Sequence, residues 1–178
     1  MIAAELLTMS AAQLRGLLAE GHPIDPRALD DTEYRGVSLG LPHFVEQLTW
    51  KKFKKTFHRD RARGVLRGWN VRCEQNGLDA PWLDQQREGT PVTFGPYEVV
   101  AATDARLPAH ARRGLLIDYG RGGNLPPLSR LRDPIVALRA GDATLLLGWS
   151  YLDLGLTSLG TPSFFTLEYE RPLGYVRP

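Results

Sequence analysis

The densest chemistry in the chain is a basic stretch. Residues 51–63 hold Lys51, Lys52, Lys54, Lys55, Arg59, Arg61 and Arg63 against Asp60 alone, a local charge of +6 in a chain of net charge +2. The rest of the chain therefore sums to −4. Trp50, Phe53 and Phe57 interleave with these bases. Three chemistries fit such a pattern. One is a groove that follows a phosphate backbone and stacks bases. Another is a clamp on an anionic head group at a cavity mouth. The third is a solvated strand face whose lysines discourage edge-to-edge pairing. Nucleic acid is the least expected partner, because dedicated binders spread positive charge over a wider surface.

The second constellation is aromatic. Trp69 falls in step with Val71 and Cys73, and Trp149 in step with Leu145 and Leu147. Both tryptophans are expected to be buried and to face inward. Joined by Tyr119 and Tyr151, they form the expected wall of a mostly apolar ligand cavity. Lys52 or Arg132 would stand near its mouth. The alternative for these rings is ordinary core packing.

Other chemistry is thin. His22, His43, His58 and His110 show no metal-ligand spacing, and Cys73, the single cysteine, has no neighbouring ligand type. No metal or cofactor is expected, although His43 or His58 would be the axial candidates for a haem. Gly148-Trp-Ser-Tyr-Leu152 lacks the second glycine of an esterase elbow. Gly120-Arg-Gly-Gly123 lacks the Gly-Lys-Ser/Thr ending of a P-loop and reads as a flexible turn. Asp118 and Asp133 are either a carboxylate pair or members of ion pairs, with Arg132 or Arg113 as partner of Asp133. Since buried charge must be compensated, the ion pair is the expected state. No catalytic motif is recognisable, so an acid–base enzyme is the least supported class.

These residues need elements to position them. Ser10 is an N-cap for a short helix carrying Leu14, Leu17 and Leu18 and ending at Gly21. His22–Pro26 is an extended connector. Glu33–Leu39 is the first strand, and 42–48 a second short helix. The segments around Phe53–Phe57 and Val65–Cys73 form a hairpin across Arg59–Gly64. Further strand-like runs are 92–100, 114–119, 135–139, 144–151 and 164–169, with a tight turn at Ala140-Gly-Asp142. The long linkers are 76–91 and 120–130. Leu152–Pro162 carries four leucines among glycines and is expected to plug one barrel end; a lid and a partner surface are the alternatives. About eight mostly antiparallel strands make an all-β barrel or sandwich with short helices. Eight strands close a barrel that is filled by side chains or holds one small ligand. Residues 1–178 read as one domain, with 1–30 a helical lead-in packed on a barrel of 31–178.

Composition agrees. Apolar residues make up 43% of the 178, enough for a full core. No stretch approaches the roughly 18 apolar residues of a membrane span. The N-terminus lacks the pattern of a signal peptide, and no internal disulfide is possible, so a cytoplasmic location is the expectation.

Several segments together resemble a known pattern. Thr32-Glu-Tyr-Arg-Gly36, after Ile24-Asp-Pro-Arg-Ala-Leu29, is similar to the naming motif of the GXWXG-type domain, a family without an assigned function. Trp50-Lys-Lys-Phe53 resembles that family's Trp–Lys–Phe segment. Arg132-Asp-Pro-Ile-Val136 followed by Asp142–Gly148 is similar to the domain that often accompanies it. Thr32 stands for the first glycine and Tyr34 for the tryptophan, so Gly36 alone keeps its identity. The resemblance implies a calycin barrel, lipocalin-like in shape, and no particular reaction. The leading functional expectation is binding of one small apolar or amphipathic anionic ligand inside the barrel. Its rival is an interaction module with a solid core and a working basic hairpin at 51–63.

Overall fold

A computed structural model describes residues 2–39, 51–104 and 107–178. The expected helix at 42–48, His43 and Trp50 lie outside the described residues. The chain begins with helices α1 (Ala3–Leu6) and α2 (Ala11–Glu20). Ser10 caps α2: its hydroxyl accepts from Gln13 N, and the Gln13 side chain accepts from Ser10 N, a reciprocal box that satisfies two otherwise orphaned donors. A 3₁₀ turn, Pro26–Leu29, leads into the sheet.

Ten strands follow. They are β1 (Thr32–Leu39), β2 (Lys52–Asp60), β3 (Val65–Arg72), β4 (Gln86–Arg87), β5 (Thr90–Pro91), β6 (Thr93–Ala101), β7 (Leu115–Asp118), β8 (Leu131–Arg139), β9 (Asp142–Asp153) and β10 (Ser158–Pro172). Eight of them close an antiparallel barrel in the order β1-β10-β9-β8-β7-β6-β3-β2, and β4-β5 is a separate two-stranded ribbon. The expected turns hold. Gly141, at φ 71°, makes the Ala140-Gly141 turn, and Gly64, at φ 69°, ends the β2–β3 loop. Among the described residues no helix is long and apolar enough to cross a membrane.

Two apolar cores lie on opposite sides of the barrel wall. The inner one joins Tyr34, Phe53, Phe57, Leu66, Tyr97, Ile117, Ile135, Leu146, Phe165 and Leu167. Ile24 and Leu29 belong to it, so the 3₁₀ lead-in stoppers the end where β1 starts. The outer one buries Leu6, Leu14 and Leu18 of the helices against Leu116, Val136, Leu147, Trp149 and Tyr151. Both faces of β9 are therefore buried, which explains its unbroken Leu145-Leu146-Leu147 run.

Glycines on the inner face let rings lie flat on the wall. A Cβ on Gly36 would come within 2.3 Å of the Phe53 ring, and one on Gly148 within 2.1 Å of the Phe165 ring. The close approach expected at Gly36 is thus made by Phe53, its cross-strand partner. Gly122 in the 120–130 linker is likewise packed: a Cβ would meet the Pro96 carbonyl oxygen at 1.8 Å. That segment is two 3₁₀ turns held by Asn124, whose amide donates to the Pro96 and Tyr119 carbonyls. It is not the loose turn its glycines suggest.

Candidate functional site

All four lysines of the chain fall within residues 51–55, whereas the other 18 basic side chains are arginines. Three of these lysines are almost completely buried, and β2 sends them to opposite faces. Alternation puts Phe53, Lys55 and Phe57 on the inside and Lys52, Lys54 and Thr56 on the outside.

On the outside, the Lys52 ammonium donates to Asn76 Oδ1, and to the carbonyls of Gly77, Ala80 and Pro81, at 2.7–3.2 Å. It also sits 4.8 Å from the Trp82 ring centroid. This cage fastens the 76–82 loop to the barrel. Lys54 meets Asp84 at 2.8 Å, Glu33 at 3.1 Å and Glu170 at 3.2 Å, and so ties the segment just after that loop and β10 to β1. Arg59 pairs with Asp30 and Arg63 with Glu98. The basic stretch is largely consumed by internal partners. The exposed part of the stretch is its tip, Arg61 and Arg63, and Lys52 anchors the 76–82 loop and does not line the barrel's cavity.

On the inside, Lys55 faces the lumen. Its Nζ donates to Tyr119 Oη at 2.5 Å, Asn70 Oδ1 at 2.9 Å and Asp133 Oδ2 at 3.2 Å. The rings of Tyr119, Tyr97, Phe165 and Phe53 stand 5.0–5.7 Å from the same nitrogen. Ser150 Oγ donates to the other carboxylate oxygen of Asp133 at 2.7 Å. The ion pair expected of Asp133 exists, but with Lys55 rather than an arginine. Asp118 takes Arg132 at 3.1 Å instead.

Burial lowers the Lys55 amine below the ordinary lysine range, and the neighbouring Asp133 only partly restores it. Burial and the same carboxylate raise the hydroxyls of Tyr97 and Tyr119 well above theirs. The lumen therefore holds a desolvated amine, a carboxylate and two protonated phenols in one apolar box.

This cluster is the floor of a cavity of about 320 Å³. Ser38, Phe94, Leu131 and Ser163 stand around its upper walls. These residues sit where β1 ends and where β6, β8 and β10 begin, so the cavity is at the barrel end opposite the 3₁₀ stopper. Below Lys55 the lumen is filled by Tyr34, Phe57, Ile117, Ile135 and Leu146. The Tyr34 hydroxyl donates to the Ala143 carbonyl at 2.8 Å.

Of the residues expected to line the site, Tyr119 alone does so. Trp149 and Tyr151 lie on the outer face, stacked 5.3 Å apart beneath the helical lead-in, and the Trp149 indole donates to Thr161 O at 2.8 Å. Trp69 is also outward, edge-on to Tyr175 of the C-terminal segment at 6.5 Å. Both tryptophans are buried as expected, at 1% and 4% exposure, but not in the lumen. The inward assignment fails because both faces of β3 and β9 are covered. Alternation then separates two faces without telling which is concave. Arg132 stands at the same barrel end as the cavity but does not line it, with its guanidinium held by Asp118 and by the Ser129 and Leu131 carbonyls.

Sequence reasoning missed Lys55, Asn70, Asp133 and Ser150 as a group. One signal was present: Lys55 sits between Phe53 and Phe57 in strand alternation, and a strand face bearing two phenylalanines is the buried one. The β9–β10 hairpin does not plug the barrel either. Leu154, Leu156 and Leu159 are exposed, Leu156 at 96%. Cys73 is buried, and its thiol is pushed up to about 12 by burial and then by Asp84.

No protein-family model, curated protein or solved structure matches the chain. The likeness to the GXWXG-type domain therefore rests on its own short motifs alone.

Proposed function

We propose that this protein binds one small, mostly apolar molecule in the upper lumen of the barrel, with the ligand's polar end against Lys55, Tyr119 and Asp133. The single observation behind this reading is the cavity of about 320 Å³ floored by that cluster. Ligand sites are commonly apolar concavities with a few aimed polar groups, and Phe53, Phe94, Leu131 and Phe165 supply the apolar wall. The resemblance to lipocalin-like barrels leans the same way.

The cluster also bears on the ligand's polar end. Lys55 and Asp133 form a pair of zero net charge, so a carboxylate would enter a site with no spare positive charge. A neutral carbonyl or hydroxyl suits the site better than the anionic end anticipated from the basic stretch. The interaction-module alternative keeps only the exposed tip, Arg61 and Arg63, because Lys52, Lys54 and Lys55 are buried among internal partners.

The test is a titration with straight-chain alcohols and the matching fatty acids, read by thermal shift and calorimetry. Each added CH₂ should tighten binding by up to about 0.8 kcal/mol, roughly fourfold, until the cavity is full. Alcohols should bind better than acids at neutral pH. Ser163→Phe, which narrows the entrance, should abolish the effect. Absence of saturable binding by any member, in a folded protein, would overturn the proposal.

A further inference from the structure

The geometry around Lys55 points to covalent chemistry: we infer that its ε-amine condenses with an aldehyde or ketone ligand to form a protonated imine inside the barrel. The inference rests on the ligand-binding reading above and deepens it by naming the ligand class, a small apolar carbonyl compound. Four observations carry it. The amine borders a cavity, so a carbonyl carbon can reach it. Four aromatic rings surround it, which makes its environment apolar and disfavours the ammonium form. A carboxylate stands 3.2 Å away, held in place by Ser150, and remains available to a positively charged product. A phenol hydroxyl lies 2.5 Å from the nitrogen, within reach of an oxygen bonded to the attacked carbon.

The reaction balances within this cluster. In its neutral tautomer the pair is an amine and a carboxylic acid, the proton having moved from Lys55 to Asp133. Burial lowers the cost of that tautomer by disfavouring the ammonium. The nitrogen lone pair bonds to the carbonyl carbon, and the carbonyl π electrons move to oxygen. A proton passes from nitrogen to that oxygen through the Tyr119 hydroxyl, giving a carbinolamine. Asp133 then gives its proton to the same oxygen, which leaves as water while nitrogen forms the C=N bond. Amine, aldehyde and one proton become iminium and water. The lumen starts as a neutral amine and acid and ends as an iminium facing the Asp133 carboxylate, so total charge is conserved. No oxidant or further reactant is needed.

An arginine would pair with Asp133 as well as a lysine does, but a guanidinium cannot act as a nucleophile at neutral pH. The neighbouring lysines are poor competitors. Lys52 and Lys54 point away from the cavity into their own cages, and carboxylates hold Lys54 protonated.

The experiment is reductive trapping. The folded protein is incubated at neutral pH with hexanal or cinnamaldehyde and sodium cyanoborohydride, then mapped by proteolysis and mass spectrometry. Four lysines and the N-terminal amine are the only primary amines to separate. Lys55 should be alkylated at least tenfold faster than Lys51. Excess 1-hexanol, which fills the cavity but cannot condense, should slow labelling at Lys55 and leave Lys51 untouched. Lys55→Arg should lose the adduct, and the hexanol competition tests the same point in wild-type protein should that variant not fold. Tyr119→Phe should slow trapping at saturating aldehyde, where a change in ligand affinity no longer affects the rate. Adducts confined to Lys51 and the N-terminus would overturn the inference. If hexanol still raises the melting temperature in that case, the binding reading stands and only the covalent step falls. If hexanol has no effect either, both fall.

Discussion

Lys54 and Lys55 are neighbours in sequence and equally buried, yet they solve the burial of an ammonium in opposite ways. Lys54, on the outside of the barrel, has three carboxylates within 3.2 Å. Burial works against its charge, but Asp84, Glu33 and Glu170 outweigh that and raise its pKa. Lys55, on the inside, has one carboxylate and four rings, and there burial wins. One peptide unit thus separates a structural cation from a reactive amine. The difference is one of surroundings: Lys54 knits β1, β10 and the 76–84 loop together, whereas Lys55 borders a cavity.

The largest effect should come from breaking the inner pair. Lys55→Met leaves Asp133 buried and unpaired, and should cost about 3–5 kcal/mol in denaturant unfolding. Adding Asp133→Asn should recover most of that loss. A double variant no more stable than the single would mean that packing, not the stranded charge, sets the cost. Lys54→Met should cost less, about 2 kcal/mol, because Asp84 and Glu170 keep access to solvent. Neutralising any one of its three carboxylates should not rescue it fully, in contrast to the inner pair.

The inner box depends on Phe53, which Gly36 admits. Gly36→Val should destabilise by about 1–3 kcal/mol through overpacking against that ring, well beyond the ~0.5 kcal/mol typical of surface changes. An unchanged unfolding midpoint would show that the ring can move aside, and would weaken the account of the box.

Alkaline titration separates the two lysines by sign. Lys55 has a depressed pKa, so over part of the range below about pH 10.4 the unfolded chain holds a proton that the native state has lost. Its contribution to stability should therefore rise with pH in that window. Lys54 has a raised pKa; its contribution is full below about pH 10.4 and is lost only above it. Tyr97 and Tyr119, raised by burial, favour the fold until about pH 10 and resist ionisation beyond it, so stability falls as the unfolded chain ionises. Subtracting the Lys55→Met/Asp133→Asn curve from wild type between about pH 8 and 10 should leave a positive slope. Subtracting Lys54→Met should leave none. A negative slope in the first case would reverse the assignment.

The smallest effect is expected at the β2–β3 tip. Arg61→Ala should leave the unfolding midpoint unchanged, and the protein should show no micromolar oligonucleotide binding at physiological salt, since binding carried by few phosphate contacts is weak and salt-sensitive. Salt-resistant binding would return a function to the basic stretch.

Much of the scaffold was legible in the chain. The Ser10 cap, the Gly64 and Gly141 turns, the eight-strand count and the approach at Gly36 all follow from local chemistry. Each depends on residues close in sequence, where φ preference, capping and alternation act directly. What alternation cannot supply is the sign of a face. On β3 and β9 both sides are covered, one by the lumen and one by the lead-in helices or the C-terminal segment. The bulkiest rings, Trp69 and Trp149, went outside because Tyr34, Phe57, Tyr97 and Phe165 already fill the narrow interior. The site itself is a product of closure. Lys55, Asn70, Tyr119, Asp133 and Ser150 come from β2, from β3, from the 3₁₀ turn that follows β7, from β8 and from β9, and only the register of a closed barrel brings them to one level. Sequence determined that there would be about eight antiparallel strands, in a barrel or a sandwich, and that Lys55 shares a face with two phenylalanines. Tertiary structure decided which carboxylate each lysine would meet, because charge pairing across a barrel depends on distances that no local pattern encodes.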